Sequence, residues 1–203
     1  MTTEPAHRSA VYEKAVDGFG TLSIRPLDPE RDAGLIHAWV TEDRARFWGM
    51  GETTRDQVRD IYRHMDTLTT HHAWLVESDG TPLMLFQSYD PEADRVSECY
   101  DARTGDIGLH LLVGPAHGAP RPGFTGVLLS FVTGFLLRDP GNLRVVVEPD
   151  LRNEKAVKRL ERSGFELGAE VVLPEVNLPE VFIPRKAARL AFLDRARVEA
   201  TAD

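Results

Sequence analysis

Glu148-Pro149-Asp150-Leu151-Arg152-Asn153-Glu154-Lys155-Ala156, followed eight residues later by Gly164-Phe165, is the stretch from which the architecture can be read. On its N-terminal side, Leu143 to Glu148 is a β-branched run closed by Pro149, which cannot donate to a sheet ladder. On its C-terminal side, Asn153 to Ser163 reads as a helix ending at Gly164, and Phe165 to Leu173 is strand-like again. Strand, helix and strand in so short a span predict an α/β arrangement.

Working outward, Gly105 to Val113 is the most apolar strand of the chain and Gly114-Pro115 ends it. A loop rich in Gly and Pro then leads into Val127 to Leu137, a helix apolar enough to lie against a sheet. Before it, His72 to Glu77, the turn Ser78-Asp79-Gly80-Thr81, and Pro82 to Tyr89 form a β-hairpin, followed by an acidic loop from Asp90 to Asp101. Thr21 to Arg25 alternates as a half-buried strand and stops at Pro26. Asp28-Pro29-Glu30 starts a helix that runs through Thr41, with Leu35, Ile36 and Trp39 on one face. Arg44 to Gly51 reads as a loop. Thr54 caps a second helix in which Val58, Ile61, Tyr62, Met65 and Leu68 repeat at three and four. The first eighteen residues read as a flexible arm, and residues 19–203 as a single domain with a mixed, mostly antiparallel sheet flanked by helices. Pro184 to Ala200 stays ambiguous on periodicity, since Leu190, Leu193 and Ala196 fit a helix while Leu190 and Phe192 alternate.

Composition narrows the function classes. The 203 residues are 42% hydrophobic, enough for one substantial core. A net charge of −8 argues against non-specific binding to nucleic acid or to an anionic membrane, because the average surface repels polyanions. Cys99 is the sole cysteine, so the chain has no internal disulfide and no thiolate cluster for zinc, in keeping with a reducing cytoplasm. There is no run of eighteen apolar residues, and the first residues are polar, so neither a membrane span nor a secretory leader is expected. His71 and His72 point to opposite faces of one strand, and no other set of ligands has metal spacing; no metal is expected.

Two places invite chemistry. A Gly-rich turn feeding a helix exposes backbone N–H groups that can hold a phosphate; Gly123 and Gly126 permit close approach and Arg121 adds a positive charge. A plain strand-to-helix connection would use the same residues. Along Gly105–Val113, Gly108, His110 and Leu112 point to one face, so an imidazole interrupts an apolar surface beside a glycine. Asp150 lies past the C-terminal end of the Leu143–Glu148 strand, where α/β sheets gather ligands, although an Asp before a helix is also a common N-cap.

The spacing of Asn153, Ala156, Gly164 and Phe165 resembles the acyl-CoA-binding segment of the GNAT acetyltransferases. The turn at 120–126 resembles that family's phosphate loop, with Gly123 as first glycine, Thr125 at the second, Pro120 in place of the leading Arg or Gln, and Arg121 one place off. Gly108-Leu109-His110-Leu111-Leu112-Val113-Gly114-Pro115, Glu148-Pro149-Asp150-x-Arg152-Asn153 and Pro184-Arg185-Lys186-Ala187-Ala188-Arg189-Leu190 are similar to the acyltransferases of hydroxamate siderophore biosynthesis. The resemblance covers roughly residues 20–198 and makes Lys186 to Asp194 the final strand, preceded by a longer insert, Pro174 to Pro184.

The resemblance implies a GNAT fold and transfer of an acyl group from acetyl-CoA or another short acyl-CoA to a small amine or N-hydroxylated amine, by a monomer or homodimer. It implies that His110 and Asp150 work together, His110 as base and Asp150 orienting the imidazole or the hydroxyl of the acceptor. Leu111, Leu112 and Val113 would bind pantetheine through their backbone; Arg121, Gly123, Phe124, Thr125 and Gly126 would hold the pyrophosphate, with Asn153 and Ala156 in the same cofactor segment. Leu160 stands where many relatives carry a tyrosine that protonates the leaving thiolate. Trp48 and Met50 are candidates to cover the acceptor, with core packing as the alternative, and Glu98 is a candidate to hold a distal ammonium. The competing expectations are an aminoglycoside 6′-N-acetyltransferase and a non-catalytic acyl-CoA-binding module.

Overall fold

The computed structural model describes residues 8–116, 118, 121–177 and 182–200, and the chain divides into two compact units. The first comprises Met1–Phe86 with Leu111–Ala119, the second Gln87–His110 with Pro120–Asp203.

The first unit begins with a correction to the expected N-terminal arm. Tyr12–Val16 is a strand, β1, paired antiparallel with β2, Gly20–Pro26, and the ladder is extended by Val11 N donating to Ile24 O at 2.8 Å. Only one edge of a sheet needed covering, so β1 carries mostly exposed side chains and no apolar alternation to announce it. Asp28 caps α1, Pro29–Val40, by accepting from the backbone N–H of Glu30 and Arg31. A 3-10 turn, Asp43–Trp48, occupies the segment expected as a loop. Thr54 and Gln57 form a reciprocal capping box at α2, Arg55–Asp66. The hairpin β3, His71–Ser78, and β4, Thr81–Tyr89, turns at Asp79 and Gly80, both at positive φ, the geometry that suits the right-handed strand twist. Strands run in the order β1-β2-β3-β4. Leu27, Ile36, Trp39, Val40, Val58, Tyr62, Leu75, Leu85 and Leu112 form the core. Beside it the Arg25 guanidinium donates to both the Asp32 and Glu77 carboxylates, and all three residues are buried.

The second unit carries the site. It contains β5, Asp106–Val113 (which continues into the first unit after His110), α3, Phe124–Leu136, β6, Arg144–Val147, α4, Glu154–Arg162, and β7, Glu166–Leu173. Two short strands follow, β8, Val176–Asn177, and β9, Phe182–Ile183, then β10, Lys186–Asp194, and α5, Arg195–Ala200. The strand order is β5-β6-β10-β7, with β5 parallel to β6 and the other pairs antiparallel. β10 has the bounds the resemblance implied; Ala188, Leu190, Ala191 and Leu193 are buried in it, because the two-residue alternation is broken by the register shift between Arg189 and Ala191. The insert is a small hairpin, β8 with β9, whose residues 178–181 lie outside the described residues. One guanidinium nitrogen of Arg95 donates to the carbonyls of Pro174 and Pro184, at 2.9 and 2.8 Å, and so holds the two ends of the insert together.

Candidate active site

β5 and β6 run in parallel register from Asp106↔Arg144 to Gly108↔Val146. In register, side chains on neighbouring strands that share an offset share a face. Two residues further along each chain stand His110 and Glu148, and they meet: His110 Nε2 is 2.5 Å from Glu148 Oε1. The Glu148 side chain is buried, at 2% exposure, whereas the imidazole keeps 31%. Lys186 Nζ donates to the same Oε1 at 3.1 Å, and the Tyr89 hydroxyl donates to Oε2 at 3.1 Å. Three side chains, from β4, β5 and β10, thus converge on the one carboxylate at the end of β6.

Burial by itself would raise the Glu148 carboxyl, but the charges of His110 and Lys186 outweigh it and hold the group well below the usual carboxylate range. Glu148 is therefore an anion and can only accept hydrogen bonds. That fixes the imidazole: Nε2 carries the proton given to Glu148, and Nδ1 is the nitrogen left to gain or release one. Nδ1 lies 3.3 Å from the side-chain amide of Gln87. A half-turn of that amide presents either its N–H to neutral Nδ1 or its oxygen to protonated Nδ1, so Gln87 accommodates both states. Tyr89 lies with its ring centroid 4.6 Å from the imidazole; burial, then the Glu148 charge, push its phenol well above the ordinary value, so it stays protonated. Its closeness explains Gly108, where an added Cβ would meet Tyr89 ring carbons at 2.2 Å.

Asp150 has a different setting. Arg152 holds both of its oxygens, at 2.9 and 2.8 Å, and donates its backbone N–H to Oδ1. Those bonds from Arg152, opposed by burial, keep the Asp150 carboxyl below its ordinary value. The expectation that Asp150 orients the imidazole is corrected: Glu148 holds that place, because the parallel register aligns position 148, not 150, with His110.

A family model described as an acetyltransferase (GNAT) domain matches residues 28–173. The chain belongs to the GNAT acetyltransferase family. Among curated proteins, it is 28% identical over 177 residues to the N(6)-hydroxylysine O-acetyltransferase of Escherichia coli, covering 86% of this chain and 52% of that one. It is 28% identical over 167 residues to the N5-hydroxyornithine acetylase sidL of Beauveria bassiana, covering 77% and 30%, and 25% identical over 170 residues to the lysine N-acyltransferase MbtK of a Mycobacterium species, covering 82% and 68%. The chain spans about half or less of the length of the first curated relatives it matches. Among solved structures, an uncharacterized protein of Bacillus halodurans superposes with a TM-score of 0.77 at 22% identity, over 96% of this chain and 95% of that one. The aminoglycoside acetyltransferase AAC(6′)-Ib with coenzyme A superposes at 0.72 and 19% identity, over 90% and 99%, a likeness of fold.

The other expected residues of this GNAT chain fall as follows. Gly123, at φ +79°, is the N-cap of α3 and brings no side chain to cap it. Arg121 is exposed and its carbonyl accepts from Phe124 N; Pro120 lies outside the described residues. Asn153 caps α4, its side chain accepting from Ala156 N at 3.3 Å. Leu160 is buried, and Gly164, at φ +90°, ends the helix. Glu98 is exposed on a 3-10 turn. In the first unit, Trp48 and Met50 are partly buried against its core, Leu112 belongs to that core, and Leu111 and Val113 are half-buried, the Val113 carbonyl accepting from Arg44. Sequence reasoning missed Glu148, Lys186, Tyr89 and Gln87 as site residues. A signal existed in the equal offset of Gly108↔Val146 and His110↔Glu148, but it becomes visible only once β5 and β6 are known to pair in parallel at that register.

Proposed function

We propose that the protein transfers a short acyl group from acyl-CoA to the nitrogen of an N-hydroxylated alkylamine, giving a hydroxamate. The observation that carries this reading is the imidazole of His110 pinned by a buried, ionised Glu148, which leaves Nδ1 as a directed proton acceptor. Acyl transfer from a thioester to nitrogen needs little else from the protein. The nitrogen lone pair attacks the thioester carbonyl, Nδ1 takes the N–H proton as the C–N bond forms, and the C–S bond breaks to release the CoA thiolate. The imidazolium that results, stabilised by Glu148, is the acid from which the thiolate regains that proton. This route needs no tyrosine at Leu160. A hydroxylamine is less basic than an alkylamine, so it reaches the site already neutral and a base of imidazole strength suffices.

Acyl-CoA suits the start of α3, where Gly123 brings no capping side chain and the backbone N–H groups of Thr125 and Gly126 would bind the pyrophosphate, with the helix dipole favouring the anion. Asn153 and Ala156, at the start of α4, stand in the same family segment. The names of the relatives point to the acceptor: N(6)-hydroxylysine, N5-hydroxyornithine and lysine occur among them. Asp150, held by Arg152, is assigned a supporting role at the end of β6. With the acceptor class go siderophore biosynthesis as the process and the cytoplasm as the compartment.

The test is product identity. The protein is incubated with acetyl-CoA or succinyl-CoA and N6-hydroxylysine, and the product is read by mass spectrometry and by the colour of its iron(III) complex. An N-acyl product that gives the ferric hydroxamate colour is expected. An O-acyl product, or no product with any hydroxylamine, would refute the reading.

A further inference from the structure

Glu148 holds one end of the imidazole, and Gln87 stands at the other. Gln87 and Tyr89 are two residues apart on β4, so they share a face of that strand. Tyr89 lies against the imidazole ring and donates to Glu148, while Gln87 sets its amide oxygen 3.3 Å from His110 Nδ1. All of these residues belong to the second unit. Nδ1 is the nitrogen that receives the proton in the proposed reaction, so a nucleophile giving up that proton comes within about 3 Å of it and therefore beside the Gln87 amide. With the Nε2 proton committed to Glu148, Nδ1 and Gln87 Oε1 are two acceptors side by side, and neither satisfies the other. A half-turn of the amide relieves this by offering its N–H; so does a bound molecule that carries two donors on neighbouring atoms. An amide oxygen accepts twice, so this contact is compatible with the further contacts that Gln87 makes.

We infer that Gln87 selects the acyl acceptor: its amide oxygen takes the O–H of an N-hydroxylated amine while Nδ1 of His110 takes the N–H. The inference rests on the function proposed above and adds to it the residue that reads the hydroxyl. R–NH–OH carries its two donors on bonded atoms, so two nearly parallel hydrogen bonds can run to acceptors that stand 3.3 Å apart. The N–H proton passes to Nδ1 as the C–N bond forms; the O–H proton stays on oxygen, and the product is the hydroxamate. An amine without the hydroxyl has both donors on one nitrogen. Nδ1 and Oε1 subtend about 70° at a nitrogen about 3 Å from each, narrower than the tetrahedral angle between its N–H bonds, so the two bonds cannot both be straight. The amine therefore gains little from Oε1, and the site discriminates by a hydrogen bond rather than by size.

The test measures kcat/KM for N-hydroxycadaverine and for cadaverine, with saturating acetyl-CoA, in the wild-type chain and in Gln87→Met, which keeps the length of the side chain and removes the amide. The two acceptors differ in basicity, but that difference is the same in front of either enzyme and cancels when the ratios are compared. In Gln87→Met the ratio, hydroxylamine over amine, is expected to fall by about tenfold or more, the scale of a hydrogen bond whose loss leaves a donor unpaired. Equal proportional losses for both acceptors, or an unchanged ratio, would overturn the inference and leave Gln87 as a support for the imidazole. Calorimetric CoA binding and the melting temperature establish that the variant is folded. If it is not, the wild-type chain decides with N-methoxycadaverine, which keeps the N–H and the low basicity but has no hydroxyl proton. Its acylation is expected to be slower than that of N-hydroxycadaverine by about tenfold or more, and equal rates would overturn the inference. A wild-type chain that acylates no hydroxylamine refutes the proposed function and the inference with it, whereas one that acylates hydroxylamines with an unmoved ratio in Gln87→Met refutes the inference alone.

Discussion

Glu148→Gln is the substitution that most exposes the logic of the site, since it keeps shape and removes only charge. In the wild-type chain Glu148 accepts from His110, Lys186 and Tyr89 at 2.5, 3.1 and 3.1 Å. Removing one partner from a fully buried ion pair costs about 3–5 kcal/mol. Here the partners keep 31% and 21% exposure, so water can take over part of their solvation, and a loss of about 2–3 kcal/mol in stability is expected. The effect on turnover is larger. A glutamine can donate as well as accept, so Nε2 is no longer obliged to carry the proton, and loss of tautomer control in a related arrangement costs up to roughly 10⁴-fold; a fall of roughly 10²- to 10⁴-fold in kcat is expected. Thiol release from acetyl-CoA, followed with a chromogenic disulfide, reads the rate, and calorimetry with CoA, expected to be unchanged, shows that the cofactor site survives. The pH dependence supplies a second check. Burial would raise the Glu148 carboxyl, but His110 and Lys186 hold it well below its unfolded value of about 4.3, so its stabilisation is complete above that value and is lost as pH falls through the lower folded value. The melting-temperature gap between wild type and Glu148→Gln should thus be constant above about pH 5 and close in stronger acid. A variant retaining half or more of wild-type turnover, or a gap that widens in acid, would refute the reasoning.

His110→Ala should lower turnover about a hundredfold or more while CoA affinity stays near normal, because loss of a general base acts on the transition state; single-turnover rates and calorimetry separate the two. Gly108→Ala should destabilise the fold by about 3 kcal/mol, since its Cβ would sit 2.2 Å from a buried ring that the Glu148 bond holds in place; urea titration measures it. Gly123→Ala has open space for its methyl but must adopt φ +79°, at a cost of about 1–2 kcal/mol, and should weaken CoA binding several-fold as the turn relaxes. Wild-type melting temperature that does not move with added CoA would remove that expectation.

Much of the fold was legible because local chemistry and tertiary position agree. Asp28-Pro29, Thr54 and Asp79-Gly80 each name a terminus or a turn, and each is found in that role. β1 was not legible: as a short edge strand it needs backbone partners but no apolar face, and Glu13, Lys14 and Ala15 are all exposed. Periodicity left β10 open, because its bulge lets Leu190 and Ala191 both be buried, and only the family resemblance resolved it. At the site His110 stood out as a polar side chain on an apolar strand. Its partner did not, since Glu148 and Asp150 both follow the valine run and differ in what they face, a matter of register between β5 and β6 that composition and spacing cannot supply. Lys186 and Tyr89 come from strands far off in sequence and become neighbours only through a single carboxylate.

The most direct measurement of the proposed activity is a competition in one vessel. N6-hydroxylysine, N5-hydroxyornithine, N-hydroxycadaverine, lysine, cadaverine and kanamycin are supplied at equal concentration with limiting acetyl-CoA, and initial product ratios, read by mass spectrometry, give relative kcat/KM without further fitting. The account predicts that one hydroxylamine is acylated on nitrogen at least 10²-fold faster than its parent amine, the scale expected of a site that must fill a hydrogen bond to the hydroxyl. Kanamycin acylated faster than every hydroxylamine would contradict it.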